Sequence, residues 1–315
     1  MAHDIYGRSS RAARPWPTES PRPARLLRRR SGQSALDSDG LAPVNASVPK
    51  SGQLWDATFL ERSELLGDLR ALAEPLLSGA TWPSLEACSA FVEAERRARA
   101  AELPAVRFAP PSTRSRSQPV DIRQLYDGRI ALHGEVPCLG TSYHDLLNVL
   151  VWAAFPRAKR ALHARQYRAL EGWLPPAAAR LPNRRTREQD ALALFDEGGS
   201  LLVVPPALAA ALRPALASDR SAGERLALDS TARIVLFGHA VMEHVCFESA
   251  ALSSAALVVC IDPPLPEGRA LFDRVDHALA ARLSDPREFV TPVFDAVLGI
   301  EPPEEAWLRV ERATG

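Results

Sequence analysis

Prolines divide this chain more sharply than any other residue. There are 27 of them in 315 residues, and an interior proline interrupts a helix or a central strand. Pro15, Pro17, Pro21, Pro23, Pro43 and Pro49 crowd the first 50 residues, where few apolar side chains accompany them. Such a stretch cannot bury enough surface to offset its ordering entropy. Residues 1–50 are therefore expected to be a disordered Arg/Pro-rich tail, and 51–315 a single domain. Eight arginines lie between Arg8 and Arg30, opposed by Asp4 and Glu19. That tail is either a dispensable extension or a contact for an anionic surface.

From Trp55 onward the prolines leave segments of helix or strand length. Leu65, Leu69 and Leu72 recur at helical spacing, and Pro75 is expected to end that helix. Pro83 opens a second helix running to about Ala101. Val106–Ala109 reads as a short strand before Pro110 and Pro111, and Ser112–Pro119 as a polar loop. Asp127-Gly128 reads as a turn into a strand over Arg129–Val136. Ser142-x-x-Asp145 has the form of a capping box for a helix reaching Phe155, and Pro156 opens the next helix. A proline-rich loop through Pro175, Pro176 and Pro182 follows. Ala191–Phe195 and Ser200–Val204 read as a β-hairpin turning at Asp196-Glu197-Gly198-Gly199. Helices are expected at 206–213, 231–247 and 268–283, a buried strand at Ala256–Ile261, and a short acidic helix near Glu304. Helices and short strands alternate without a βαβ rhythm, so the fold class is α+β.

Composition excludes several functions. The 38 basic and 38 acidic residues cancel, so the molecule as a whole is no polyelectrolyte binder. Thirty-six of the basic residues are arginine; the two lysines are Lys50 and Lys159. Cys88, Cys138, Cys246 and Cys260 form no CxxC pair, which argues against a zinc knuckle or a thioredoxin-like motif. Cys88 shares an apolar helical stripe with Leu85 and Val92 and is expected to be buried and inert. The first 30 residues lack the apolar run of a signal peptide. Leu201–Leu212, the most apolar stretch, is broken by Pro205 and Pro206, so no membrane span is expected. A cytoplasmic location is the default expectation.

Three separated strings carry a family resemblance. They are SYHDLLNVLVWAAFPRAKRALHARQ at Ser142–Gln166, DALALFDEGGSLLV at Asp190–Val203, and FGHAVMEH at Phe237–His244. In that order they resemble the bacterial family called domain of unknown function 3025. The likeness covers about Trp55 to Ile300. Tyr143 stands where the family pattern leads one to expect Trp, a change of packing more than of chemistry. The resemblance implies a soluble bacterial protein and carries over no activity and no catalytic residues.

The polar residues within these strings are the candidate site. His144 shares a helical face with Asn148, Val151 and Phe155, and is either a core histidine or a base or ligand. Asp145 is either a cap or a functional acid. Asp190, Asp196 and Glu197 form an acidic cluster; turn formation or function explains Asp196 and Glu197, and an ion pair with Arg187 is the plain explanation of Asp190. His239 and Glu243 stand one helical turn apart, while His244 is rotated by about 100°. The spacing H-x-x-x-E-H is neither zinc-protease motif, so a third ligand would have to come from His144 or Asp196. Gly238 points to close approach of another element. From Arg157 to Arg187 nine basic residues face one acid, Glu171. They form either a solvated surface or an anion site.

Two functions follow. In the first, His144, Asp196, Glu197, His239 and Glu243 converge in a hydrolase-like pocket for acid–base or metal-assisted chemistry. Asn148 lines that pocket, and Arg157 or Arg187 holds an anionic small molecule. In the second, the chain is a non-catalytic module that holds nucleic acid or an acidic partner on the basic helix. Whether a metal or other cofactor takes part, and the oligomeric state, are left open.

Overall fold

The computed structural model describes residues 54–111, 120–174, 184–217, 225–227, 231–248, 250–301 and 305–309. The N-terminal tail, the Ser112–Pro119 loop, the proline-rich loop and Glu304 lie outside the described residues. In chain order the elements begin with α1 (Gly67–Leu77), α2 (Leu85–Arg99), β1 (Arg107–Ala109), α3 (Tyr126–His133), β2 (Glu135–Pro137) and α4 (Tyr143–Ala154). Then come α5 (Pro156–Trp173), α6 (Arg187–Gly198), β3 (Gly199–Val204), α7 (Pro206–Ala217), β4 (Arg225–Ala227) and β5 (Arg233–Leu236). The series ends with α8 (His239–Phe247), β6 (Leu252–Cys260), α9 (Gly268–Ser284), β7 (Ala296–Glu301) and β8 (Glu305–Arg309). The fold is α+β, as the irregular alternation of segments implies.

A six-stranded sheet runs in the order β4-β8-β7-β6-β3-β5, and only the β3–β6 pairing in it is parallel. A separate two-stranded parallel pair joins β1 to β2. Every residue of β3 is buried, as its run of Leu201, Leu202, Val203 and Val204 demands of an inner strand. The helical side is organised around α4. From Leu146 to Ala154 every residue of it is buried, because its apolar residues occupy the whole circumference. Leu147, Leu150 and Trp152 each contribute about 1.5–3 kcal/mol by burial. Helix α4 packs against α2 and α8, and α5 packs against α9, α3 and α6.

Four local expectations are corrected. Ala191–Phe195 is helix and there is no hairpin at Asp196. Thr186 and Gln189 form a reciprocal capping box that starts α6, and alternating Ala and Leu are strong helix formers. Arg129–Ile130 belong to α3, which ends at Gly134 in the left-handed conformation, φ 64°. Gly128 is there for space, since a Cβ would lie 2.2 Å from the Ile122 carbonyl oxygen. The span 231–247 divides at Gly238 into β5, which pairs with β3, and α8. Pro75 sits inside α1 rather than ending it, one turn from a helix end where few backbone bonds remain to be lost. Residues Glu305–Arg309, next to the expected acidic helix, are strand β8. Cys88 is buried as expected, and burial pushes its thiol up to about 11.

Candidate functional site

Three helix ends bring the chemistry together. The Ser142 hydroxyl accepts from the Asp145 amide at 3.1 Å and starts α4, which sets His144 in its first turn. The second half of the expected capping box is not made. The Asp145 carboxylate accepts from the Leu139 amide at 2.9 Å instead. Glu197 is the penultimate residue of α6 and His239 the first residue of α8. These two ends can meet because residue 238 is glycine. A Cβ there would lie 2.4 Å from the Glu197 carbonyl oxygen and 2.6 Å from the Gly198 nitrogen. Both the Phe237 and Gly238 amides donate to the Gly199 carbonyl, at 3.1 and 2.8 Å.

The side chains form a chain of close contacts. His144 Nδ1 lies 3.1 Å from Glu243 Oε2, and its Nε2 lies 3.1 Å from His239 Nε2. Glu197 Oε2 is 3.4 Å from His239 Nε2 and 4.0 Å from His144 Nε2. The two rings lie edge to face, inclined at 67° with centroids 4.4 Å apart. Among the described residues His144, Glu197 and His239 form a group whose ligand atoms all lie within 4.8 Å of one another.

Beneath this group lies an internal ion pair. Lys159 is fully buried, and its Nζ donates to Asp196 Oδ1 at 2.5 Å. Burial works against ionisation of Asp196, but the Lys159 ammonium, helped by His163 and His239, prevails and holds the carboxyl at about 2. Burial pushes Glu197 up to about 7, with Asp196 adding to the rise and His144, Lys159 and Arg185 opposing it. Burial also disfavours a charged His144, yet the carboxylates of Glu243 and Glu197 outweigh it and raise that ring above its ordinary value. His239 is driven well below its ordinary value by burial and by the neighbouring His144, which keeps it neutral. His239 Nδ1 is buried with no hydrogen-bond partner among the described residues.

The sequence candidates thus separate. His144, Glu197, His239 and Glu243 are brought into one cluster, and Asp196 faces Lys159 below it. Asn148, one turn along α4 from His144, donates to the Tyr126 hydroxyl at 3.2 Å. Arg157 is held away from the cluster by Glu102, Asp273 and Asp276 at 2.9, 3.2 and 3.5 Å. Arg187 is exposed at the opposite end of α6. The basic helix turns inward. Lys159 and Arg165 are buried, and Arg160 donates to the carbonyls of Pro104 and Ala105. His244 faces elsewhere, onto the Ala250 carbonyl at 2.9 Å.

Two participants escaped the sequence reading. One is Lys159, taken there as part of a basic surface. It lies in the buried stripe Phe155, Lys159, Leu162, His163, Gln166, which shows as one only when that helical face is followed inward. The other is Arg185, whose charge reaches Glu197 although it precedes α6. Nothing local marks that role.

No curated protein and no solved structure matches this chain. Among the described residues no helix is long and apolar enough to cross a membrane. A family model described as Protein of unknown function (DUF3025) matches residues 113–296, a span that contains His144, Glu197, His239 and Glu243. The chain belongs to the DUF3025 family.

Proposed function

We propose that this DUF3025 protein is a hydrolase-like enzyme whose His144–Glu197–His239–Glu243 centre activates a water molecule. One observation carries the reading: two imidazole nitrogens and a carboxylate oxygen, from three distant segments, converge within 4.8 Å. Purely structural histidines would be expected to satisfy themselves on nearby backbone, as His244 and His277 do. The side chains of His144, Glu197 and Glu243 keep 13%, 17% and 17% of their exposure, so a small substrate can reach them. In the reaction the water oxygen bonds to an acyl carbon or a phosphorus, and the bond to the leaving oxygen or nitrogen breaks. The proton lost by the water passes through the centre to the leaving group. Arg157 is bound by Glu102, Asp273 and Asp276, and Arg187 lies at the opposite end of α6 from Glu197, so neither holds an anionic substrate at the cluster. A nucleic-acid module built on the basic helix finds no favouring observation, because that helix directs Lys159, Arg160 and Arg165 into the protein.

The test is turnover of chromogenic esters, anilides and phosphoesters by the purified chain, both as isolated and with added divalent cations. Glu197→Gln and His239→Ala are expected to lose at least about 100-fold in rate while keeping a native circular dichroism spectrum. Absence of turnover in the wild-type chain across the panel, or folded variants as fast as wild type, overturns the reading.

A further inference from the structure

We infer that His144 Nε2, His239 Nε2 and Glu197 Oε2 are the three protein ligands of one divalent transition-metal ion, zinc by its chemistry, with a fourth position open to water. The inference deepens the hydrolytic reading by naming what activates the water. It starts from the same convergence and adds the mutual distances of the three atoms.

Those atoms are separated by 3.1, 3.4 and 4.0 Å. The point equidistant from all three lies about 2.1 Å from each, the length of a zinc–imidazole or zinc–carboxylate bond. A proton shared between the two rings would explain only the 3.1 Å pair. Glu197 Oε2, 4.0 Å from His144 Nε2, is beyond hydrogen-bond reach of that ring and takes no part in such a shared proton. A metal ion uses all three atoms.

The donor set also discriminates. Magnesium and calcium take oxygen ligands. Two imidazoles and one carboxylate suit zinc or a neighbouring transition metal. Structural zinc sites close with four protein ligands, whereas three ligands and a free position mark catalytic ones. The surroundings have the form expected of an outer shell. Glu243 Oε2 faces Nδ1 of His144 at 3.1 Å, the arrangement that fixes the tautomer of a ligating ring and raises its basicity. The charges of Glu197 and Glu243 together equal that of one divalent ion, and the nearby Asp196 is already matched by Lys159. Gly238 holds the ligand-bearing ends of α6 and α8 at the separation this requires.

The experiment uses the full chain, stripped with chelator and dialysed. Zinc chloride titrated into it calorimetrically should bind one ion per chain. Cobalt chloride should give the intense visible absorption of four-coordinate cobalt, a readout independent of turnover. His239→Ala and Glu197→Gln should weaken zinc binding at least 100-fold, and Glu243→Gln, which keeps all three ligands, by about 10–100-fold. Folding of each variant is checked by circular dichroism, and the wild-type titration alone already decides the main point. No zinc bound by folded wild type overturns the inference. So does zinc binding unchanged in folded His239→Ala and Glu197→Gln, or magnesium bound as tightly as zinc. Site-specific zinc without turnover would sink the hydrolytic reading and leave the metal site standing. Turnover by a chain that binds no metal would do the reverse.

Discussion

Lys159 is a fully buried ammonium in a chain that otherwise uses arginine almost throughout. A compact point charge fits a site where one carboxylate oxygen, Asp196 Oδ1, is the partner and aromatic rings of Trp152 and Phe237 lie at 5.6 and 6.0 Å. The pair joins α5 to α6 directly below Glu197. Lys159→Met would leave Asp196 buried without its counter-charge, and is expected to cost about 3–5 kcal/mol in urea unfolding. The double variant Lys159→Met with Asp196→Leu should recover most of that loss, because the isolated charge is gone. A single-variant cost under about 1 kcal/mol would show that the pair does not hold the two helices together. At this scale the histidines were legible in the sequence. His144 and His239 stand in helical strings, and Glu243 follows His239 by one turn. Lys159 was not, since a basic residue among eight others reads as surface until its helical face is followed inward.

At the scale of elements, helix ends rather than helix bodies build the site. The residues of α6 were recognised as candidates while their conformation was read as a hairpin. Ala-Leu-Ala-Leu-Phe alternates like a strand, but Thr186 and Gln189 had already begun a helix upstream. The error matters physically. A hairpin turn would have placed Asp196 and Glu197 side by side at an exposed tip, whereas a helix end directs them into different surroundings. Asp196 meets Lys159, and Glu197 meets the histidines. The solvent side of α2 shows a different, local kind of stabilisation. Hydrogen bonding from Arg96, supported by Arg97, holds Glu93 down at about 2, below its ordinary 4.5. A depressed folded-state value stabilises the protein above pH 4.5, and that contribution is lost as pH falls toward about 2. Thermal melts across this window should show Glu93→Gln losing less stability than wild type on acidification. Parallel melting curves for the two proteins would contradict the assignment.

Across the whole molecule, α5 is tied to α9 at two levels. The buried Asp276 carboxylate accepts from the Arg157 and Ala158 amides at 3.1 and 2.8 Å, supplying from α9 the cap that α5 lacks in its own sequence. Farther along, Arg165 donates to the Leu283 and Asp285 carbonyls at 3.1 and 2.9 Å, at the C-terminal end of α9. The arginine-rich helix is therefore basic because it anchors other elements. Asp276→Ala should cost about 3 kcal/mol in equilibrium unfolding, since two buried amides and Arg157 lose a charged acceptor. Asp276→Asn, which retains one acceptor, should cost less. Equal losses for the two variants would mean that volume rather than hydrogen bonding is what Asp276 supplies.

The α+β class, most helix positions and the candidacy of all four converging side chains followed from local pattern, because side-chain period, caps and prolines act over a few residues. Three other features were decided by the tertiary structure. These were the entry of Lys159 into the core, the reach of Arg185 to Glu197, and the meeting of His144, Glu197 and His239 around one point. Each depends on how segments separated by tens of residues pack. Local propensity holds no information about which helix ends will meet. The one trace of that packing left in the chain is Gly238, where any side chain would have kept the ends apart.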